Sequence, residues 1–252
     1  MPYSIKASRA AYADIAGFRP LFQHSVHAQI RYEACHERNW ADVYLLTIEG
    51  QRAGYGAVKG MENLEDRDTI FEFYLLPIFR QHAIRFFQKL IEATRACYVE
   101  CQTNAPLLSA MAHACCSDLQ PEMWLFEDDH ITHHHLPGTR FRKRRPGEVV
   151  PWQPKDPGGY LLMMDGKIVA EGDFLLHYNP PFADLHMAVS PGYRNKGIGT
   201  YFVQELKRAC YLAGRYPAAR CQVENTASRE TLLKAGMRIC GEMRWGALNG
   251  GA

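Results

Sequence analysis

The sequence lacks the features that would place it in a membrane, outside the cell or on nucleic acid. No apolar run approaches the ~18–20 residues that a membrane-spanning helix needs, and the N-terminal residues show neither the apolar core nor the cleavage site of a secretory signal. Lysine and arginine number 29 against 27 aspartates and glutamates, and this net charge of +2 gives no reason to expect nucleic-acid binding. We therefore expect a cytoplasmic protein with no membrane and no nucleic acid among its partners.

Paired cysteine motifs are also missing. The eight cysteines are scattered without a CxxC pair, so we expect reduced thiols rather than disulfides. Cys97 and Cys101 stand at helical spacing, which predicts that both lie in the core. Residues 128–135, DDHITHHH, collect four histidines, but no cysteine stands near them at ligand spacing. We predict a polar strand there and no metal site.

What the chain does contain is an internal repeat. The segment IEGQRAGYGAVKG from Ile48 resembles MDGKIVAEGDFLL from Met164. Further on, LPIFRQHAIRFFQKLIEATRACY resembles VSPGYRNKGIGTYFVQELKRACY, and both are predicted to form an amphipathic helix ending in Ala-Cys-Tyr. Finally, CQTN at Cys101 resembles CQVEN at Cys221. Three collinear matches at a nearly constant offset indicate two copies of one α/β unit.

The boundary between the copies is predicted from composition. Residues 140–159, RFRKRRPGEVVPWQPKDPGG, are rich in proline and glycine and have five basic residues near their start, which is typical of a solvated connection. We therefore predict one domain over residues 1–145 and a second over residues 146–252. Hydrophobic residues make up 47% of the chain, which is enough for packed cores in both.

In the second copy, apolar periodicity and turn residues predict an alternation of strands and helices. The predicted strands cover residues 159–164, 167–178, 184–189, 219–223 and 237–245, and the predicted helices cover residues 197–212 and 227–235.

The stretch SPGYRNKGIGTYF, residues 190–202, stands between a predicted strand and a predicted helix. The first N–H groups of a helix are unpaired and its N-terminus is electropositive, so a phosphate binds there favourably. Gly197 and Gly199 would keep Cβ atoms away from these N–H groups, while Arg194 and Lys196 add positive charge. Because the Walker and Rossmann patterns are both absent, we interpret the loop as a cradle for another kind of diphosphate.

The pattern Arg194-Asn195-Lys196-Gly197-Ile198-Gly199 resembles the coenzyme A loop of the GNAT N-acetyltransferase superfamily. The resemblance extends to Val189 and Pro191 before the loop and to ENTASRETLLKAGM after it. It implies an α/β (α+β) fold of two tandem GNAT-like units, each a mixed, mostly antiparallel twisted sheet flanked by helices. It also implies acetyl-CoA as cosubstrate, without a metal. The residues implied to bind acetyl-CoA are Met187, Ala188, Val189, Arg194, Asn195, Lys196, Gly197, Ile198, Gly199, Thr200, Asn225 and Ser228.

The first copy departs from this pattern at the decisive positions. Ala83 and Arg85 stand where the second copy has Gly197 and Gly199, and the Arg85 side chain would fill the space of the pyrophosphate. Asn104 remains as the counterpart of Asn225. We interpret the first copy as a degenerate domain that does not bind the coenzyme.

Several polar residues of the second copy could take part in proton transfer. The protonated amine must lose a proton before it can attack a thioester. Asp184, His186 and Glu171 are candidate general bases, since they lie on the predicted strands that precede the loop, although the reaction could also proceed without a side-chain base. The tyrosine that often serves as general acid in the family is replaced by Leu232.

The resemblance implies an N-acetyltransferase that moves an acetyl group from acetyl-CoA directly to a primary amine of a small molecule or a peptide. The alternative is a non-catalytic acyl-CoA-binding sensor or regulatory protein, which the missing tyrosine favours. Members of the family often dimerise, so a homodimer is compatible with the resemblance.

Overall fold

The computed structural model describes residues 3–27, 32–153, 155–177 and 179–249. The chain divides into two compact units. Unit 1 contains Met1–Glu122 together with Gly241–Ala252, and unit 2 contains Met123–Cys240. Among the residues described, no helix combines the length and the apolar character that are needed to cross a membrane.

Unit 1 contains a six-stranded sheet with the order β1-β2-β3-β4-β5-β12, in which the last strand is Met237–Ala247. Neighbouring strands are antiparallel except for β4 and β5, which are parallel. One core includes residues of α4 and α5, and a second includes residues of α1, α2 and α3. The elements are β1 (Ile5–Ala10), α1 (Tyr12–Ile15), α2 (Arg19–Ser25), α3 (Tyr32–Glu37), β2 (Ala41–Ile48), β3 (Gln51–Lys59), β4 (Thr69–Leu75), a 3-10 helix (Pro77–His82), α4 (Ala83–Thr94), β5 (Tyr98–Gln102) and α5 (Pro106–Cys115).

Unit 2 repeats this plan with the strand order β6-β11-β10-β9-β8-β7. Only β10 and β11 are parallel, and α6 and α7 contribute to the core of this unit. The elements are β6 (Gln120–Asp128), β7 (Thr139–Lys143), β8 (Tyr160–Met164), β9 (Lys167–Leu175), β10 (Phe182–Val189), a 3-10 helix (Pro191–Tyr193), α6 (Ile198–Leu212), β11 (Tyr216–Gln222), α7 (Thr226–Lys234) and β12 (Met237–Ala247).

The units do not divide the chain at the predicted boundary after residue 145. The strand that follows α5 is β6, and it pairs with β11 of unit 2, with Met123 opposite Gln222. The strand that follows α7 is β12, and its last five residues pair with β5 of unit 1. Each sheet is therefore completed by a strand from the other part of the sequence. Local composition carries no signal of this exchange, because it is decided by pairing between distant segments.

The predicted linker is also wrong at its start, because β7 extends to Lys143 and pairs with β8. Arg140, Lys143 and Arg145 are exposed as predicted, but Arg142 and Arg144 are half-buried and bonded within the unit. Arg142 forms two hydrogen bonds with Glu148, of 2.8 and 2.5 Å, and Arg144 donates to the carbonyl of Gly158 at 2.8 Å. The Arg142 hydrogen bonds and the backbone N–H of Arg145 lower the pKa of Glu148 to about 2.

The repeat is confirmed in the order of strands, but its helices end differently. α4 ends at Thr94, and Arg95 adopts a left-handed conformation with φ of 56°. Ala-Cys-Tyr therefore leads into β5 in unit 1, whereas in unit 2 it lies inside α6, which ends at Leu212. As a consequence Cys97 is exposed, contrary to the prediction, while Cys101 is buried. None of the eight cysteines, all of which lie among the described residues, forms a disulfide.

The histidine-rich segment is not a strand, because β6 ends at Asp128. Side chains of α6 bind the backbone of this segment instead. Gln204 accepts a hydrogen bond from the backbone N–H of His134 at 2.7 Å, and Lys207 donates to the carbonyl of His130 at 2.9 Å. Within the described residues, no group of three or more histidine, cysteine or acidic side chains could hold a metal ion.

Unit 1 contains a buried charged cluster at the centre of its sheet. The Glu72 carboxylate is fully buried and accepts hydrogen bonds from Arg19 at 2.6 Å and from the Tyr55 hydroxyl at 2.9 Å, and it lies 3.1 Å from the His36 ring. Burial opposes ionisation of Glu72, but Arg19, His36 and Tyr55 outweigh it and lower its pKa. Its contribution to stability is therefore present above the usual glutamate pKa of about 4.3 and is lost as the pH falls through the lowered value.

We expect Arg19→Leu to destabilise unit 1 by about 3–5 kcal/mol, because it leaves the buried Glu72 carboxylate without its main counter-charge. The double variant Arg19→Leu/Glu72→Leu removes both charges and is expected to recover most of this loss. Unfolding in urea, monitored by the hydrogen exchange of backbone amides in unit 1, measures the difference in the free energy of unfolding. Equal stability of the single and double variants would contradict the role assigned to this ion pair.

Candidate functional site

Strand β10 separates from its neighbour halfway along its length. It pairs with β9 from Asp184 to Val189, but its parallel pairing with β11 ends at Asp184, opposite Ala218. Residues 185–189 therefore have a backbone edge that β11 does not cover. Unpaired N–H and C=O groups at such an edge bind an extended ligand in the way that another strand would.

The loop after β10 exposes the N-terminus of α6. Asn195 and Gly197 adopt left-handed conformations with φ of 61° and 74°, and the helix then begins at Ile198. No side chain caps this N-terminus, so its first N–H groups are available to an anion. Arg194 is exposed, and its Nε donates to the Val189 carbonyl at 3.3 Å.

A groove of about 660 Å³ connects the open edge of β10, the loop and one side of α7 along its length. Every residue that the sequence implied for coenzyme binding lines it, except Lys196. The Lys196 ammonium instead donates to the carbonyl of Gly192 at 3.2 Å and lies 5.3 Å from the centre of the Tyr193 ring.

Sequence reasoning missed five residues that line the groove. Thr231 and Lys234 follow Ser228 at intervals of three residues on α7, and this helical spacing places the three on one face. The same periodicity could have identified them from the sequence. The lining residues that were missed are Tyr193, Ala227, Glu230, Thr231 and Lys234.

The two glycines of the loop serve different purposes. Gly197 has a positive φ, and a Cβ atom there would meet nothing within 4 Å. This is consistent with the predicted open approach of a ligand. A Cβ atom on Gly199 would lie 3.0 Å from Cε of Met187 and 3.2 Å from Cγ2 of Thr231. Gly199 lines the groove as predicted, and it has a second role that the sequence did not show: it allows α6 to pack closely against β10 and α7.

Asn225 is the N-cap of α7, and its Oδ1 accepts a hydrogen bond from the backbone N–H of Ser228 at 3.0 Å. Capping of this kind stabilises the helix N-terminus. The first role of Asn225 is thus to hold the wall of the groove in place.

The three candidate bases share one face of the sheet. Met187 and Val189 pack against the core beside α6, so Asp184 and His186 point to the opposite face. Glu171 stands opposite Ala188 across β9 and β10, and therefore lies on that face as well.

Only one of the three is unengaged. Glu171 is 3% exposed and accepts a hydrogen bond from the backbone N–H of Gly158, and Asp184 is 4% exposed and lies 3.3 Å from the Arg220 guanidinium. His186 is half-buried and makes no hydrogen bond or ion pair with the residues that the structure describes. The geometry therefore favours His186 as the group that can exchange a proton with a substrate.

Leu232 is buried in the core of unit 2, at 7% exposure. Its side chain cannot donate a proton, and it is not among the residues that line the groove. Leu232 therefore cannot replace the tyrosine that the resemblance implies as general acid.

The counterpart of the loop in unit 1 is closed. The 3-10 helix Pro77–His82 continues directly into α4 at Ala83, without a left-handed residue in between. The Arg85 guanidinium donates to the Tyr3 carbonyl at 3.0 Å. Asn104 stands one residue before the N-cap of α5, which is Ala105, and donates to the His27 carbonyl at 2.7 Å. The match of Asn104 with Asn225 was therefore shifted by one residue.

We expect Gly199→Val to destabilise unit 2 by about 1–3 kcal/mol, because the added methyl groups overpack the contact with Met187 and Thr231. Gly197→Ala is expected to cost only about 1 kcal/mol, which is the strain of a left-handed conformation for an L-residue. Urea unfolding of the two variants beside the parent chain tests this order. A larger loss for Gly197→Ala would overturn the packing role of Gly199.

Comparisons with known proteins agree with this geometry. Residues 118–237 match the acetyltransferase (GNAT) family, so the matched segment begins near β6 as unit 2 does. None of the curated proteins matches the chain in sequence.

Solved structures resemble the chain over nearly its whole length. A GNAT-family acetyltransferase from Colwellia psychrerythraea has a TM-score of 0.73 at 13% identity, covering 98% of this chain and 100% of its own. A GCN5-related N-acetyltransferase from Sphaerobacter thermophilus has a TM-score of 0.59 at 15% identity, with 96% and 95% covered. A tandem GNAT protein from the clavulanic acid biosynthesis pathway has a TM-score of 0.58 at 11% identity, with 97% and 98% covered. The chain therefore has the fold of tandem GNAT proteins, and its residues 118–237 are a domain of the GNAT acetyltransferase family.

Proposed function

We propose that this protein transfers the acetyl group of acetyl-CoA directly to a primary amine of a small molecule or a peptide. The observation that carries the proposal is the early end of the β10–β11 pairing beside the uncapped N-terminus of α6. The two features lie along one groove, so a long ligand with a phosphate at one end can be bound by backbone groups alone.

The residues present fit this cosubstrate. Gly197 leaves open space over the loop, and Arg194 is exposed at its edge. Both favour a pyrophosphate, because backbone N–H groups and a guanidinium bind its oxygens strongly. The uncovered edge of residues 187–189 suits the amide groups of a pantetheine arm. Acetyl-CoA, when bound, supplies the activated acetyl thioester.

The chain's own residues supply proton transfer and charge stabilisation. The amine reaches the protein mostly protonated at neutral pH, and His186 accepts the proton that the amine loses. The free backbone N–H groups of β10 beyond Asp184 are suited to donate to the carbonyl oxygen, on which negative charge develops as nitrogen attacks. Glu171 and Asp184 keep the strands around His186 in place through their bonds to Gly158 and Arg220.

We expect His186→Gln to lower kcat by roughly 10²- to 10⁴-fold, as for the loss of a general base. The affinity for acetyl-CoA should stay within about twofold, because His186 does not line the groove. Glu171→Gln is the matched control, since its amide oxygen still accepts from Gly158, and we expect a small effect on kcat. A thiol-release assay over a panel of amines gives kcat, and calorimetry gives the affinity. Unchanged turnover in His186→Gln would refute this assignment of the base.

Gly197→Arg is expected to abolish acetyl-CoA binding, because the side chain enters the open space above the loop. Gln81→Arg is the control in unit 1, where Gln81 is exposed on the 3-10 helix. We expect this second variant to bind acetyl-CoA as the parent chain does. Calorimetric titration compares the three proteins, and equal loss in both variants would mean that unit 1 also holds the coenzyme.

A second candidate function is a non-catalytic sensor that binds acyl-CoA. The burial of Leu232 where the family often has a tyrosine favours it. Both functions require coenzyme binding, but only the enzyme releases thiol. Tight binding of acetyl-CoA without thiol release over the whole amine panel would support the sensor.

We propose further that the protein acts in the cytoplasm on a small-molecule or peptide amine. A homodimer is part of the proposal only by analogy with the family. Sedimentation of the purified chain at several concentrations measures its oligomeric state.

A further inference from the structure

Unit 1 contains a cavity of about 260 Å³ at the position that corresponds to the coenzyme groove of unit 2. Here β4 separates from β5 just as β10 does from β11, since their pairing ends at Ile70, opposite Val99. Aromatic side chains of β4, namely Phe71, Phe73 and Tyr74, line the opening. The sheet therefore leaves the same space in both units, although their sequences differ there.

The chemistry of this cavity differs from that of the groove in unit 2. Counting from the shared Pro-x-x-Arg pattern, Phe73 replaces Met187, and Arg80 retains the position of Arg194. Counting from the N-cap of the following helix, Leu108 replaces Ser228. The lining has become apolar and aromatic, while one arginine has been kept.

Arg80 is the only charged residue among the described residues that line the cavity. Its Nε donates to the Leu75 carbonyl at 3.3 Å, and its guanidinium forms no ion pair with the residues that the structure describes. The N-terminus of α5 also lines the cavity, and its N-cap residue, Ala105, has no side chain that can accept a hydrogen bond. Pro106, the first residue of the helix, has no N–H, so the uncapped donors are the backbone N–H groups of Leu107 and Leu108. A guanidinium and uncapped N–H groups beside an apolar space favour one carboxylate attached to an apolar body.

The volume limits the size of that body. An apolar cavity of about 150 Å³ is large enough for benzene, and small-molecule sites span roughly 300–1,000 Å³. A cavity of about 260 Å³ fits one aromatic ring with a short chain. The aromatic side chains Phe22, Phe71 and Phe73 offer ring contacts to such a ligand.

We propose that unit 1 binds an aromatic monocarboxylic acid in this cavity, with the carboxylate at Arg80 and the N-terminus of α5 and the ring among the aromatic side chains. The degenerate copy is then a ligand-binding domain in its own right. The site lies wholly within unit 1, and the inference does not depend on the function proposed for unit 2.

The experiment is a calorimetric titration of the full chain with 3-phenylpropionate, with the neutral amide 3-phenylpropanamide as the matched ligand. We expect the acid to bind at least tenfold more tightly than the amide. Arg80→Gln should lower the affinity for the acid by roughly tenfold, which corresponds to the loss of one charge-assisted hydrogen bond. The affinity for the amide should not change. Arg80 is exposed, so this variant is expected to fold, and circular dichroism checks that it does.

Two further variants place the site. Ala110→Trp fills the mouth of the cavity from an exposed position of α5 and should abolish binding of the acid. Gly197→Arg alters only the loop of unit 2 and should leave binding of the acid unchanged. The proposal is overturned if the acid does not bind, if Arg80→Gln binds it as the parent chain does, or if Gly197→Arg rather than Ala110→Trp removes binding. Each readout is binding of the acid, so failure here is distinct from failure of acetyl transfer.

Discussion

The site of unit 2 depends on one limit to strand pairing: β10 and β11 are hydrogen-bonded only as far as Asp184. Parallel strands joined through a helix normally satisfy one another's backbone groups along their length. Here the pairing stops, so the edge of β10 beyond that residue offers its N–H and C=O groups to a ligand. The loop, the N-terminus of α6 and one side of α7 all border the space that the divergence opens.

The same divergence occurs in unit 1, where β4 leaves β5 after Ile70. The backbone plan is therefore common to the two copies, and their side chains decide what each space can accept. In unit 2 left-handed residues turn the loop away from the helix and leave its N-terminus open. In unit 1 a continuous 3-10 helix closes that position, and phenylalanines occupy the walls. Two copies of one fold thus present two different chemical surfaces.

The charged groups of the sheets show how a shared position can acquire opposite roles. Glu72 of β4 corresponds to His186 of β10, at the offset that relates Pro77 to Pro191. Glu72 is fully buried and held by Arg19 and Tyr55, so it contributes to stability and is closed to a substrate. His186 is half-buried and bonded to none of the described residues, which leaves it open to chemistry. The catalytic role that we propose for His186 depends on this difference in how far the neighbouring elements engage the side chain.

The sequence by itself determined the repeat and the alternation of strands and helices, because helix periodicity and turn residues are local properties. Its resemblance to the GNAT coenzyme A loop implied eleven of the sixteen residues that line the groove. Tertiary structure alone decided the exchange of β6 and β12, since strand pairing joins segments that are distant in the chain. It also separated His186 from Glu171 and Asp184: three polar residues on strands look alike in a sequence, and only packing shows which of them already has a partner. The role of Gly199 was decided in the same way, because close contact with Met187 exists only in the folded chain.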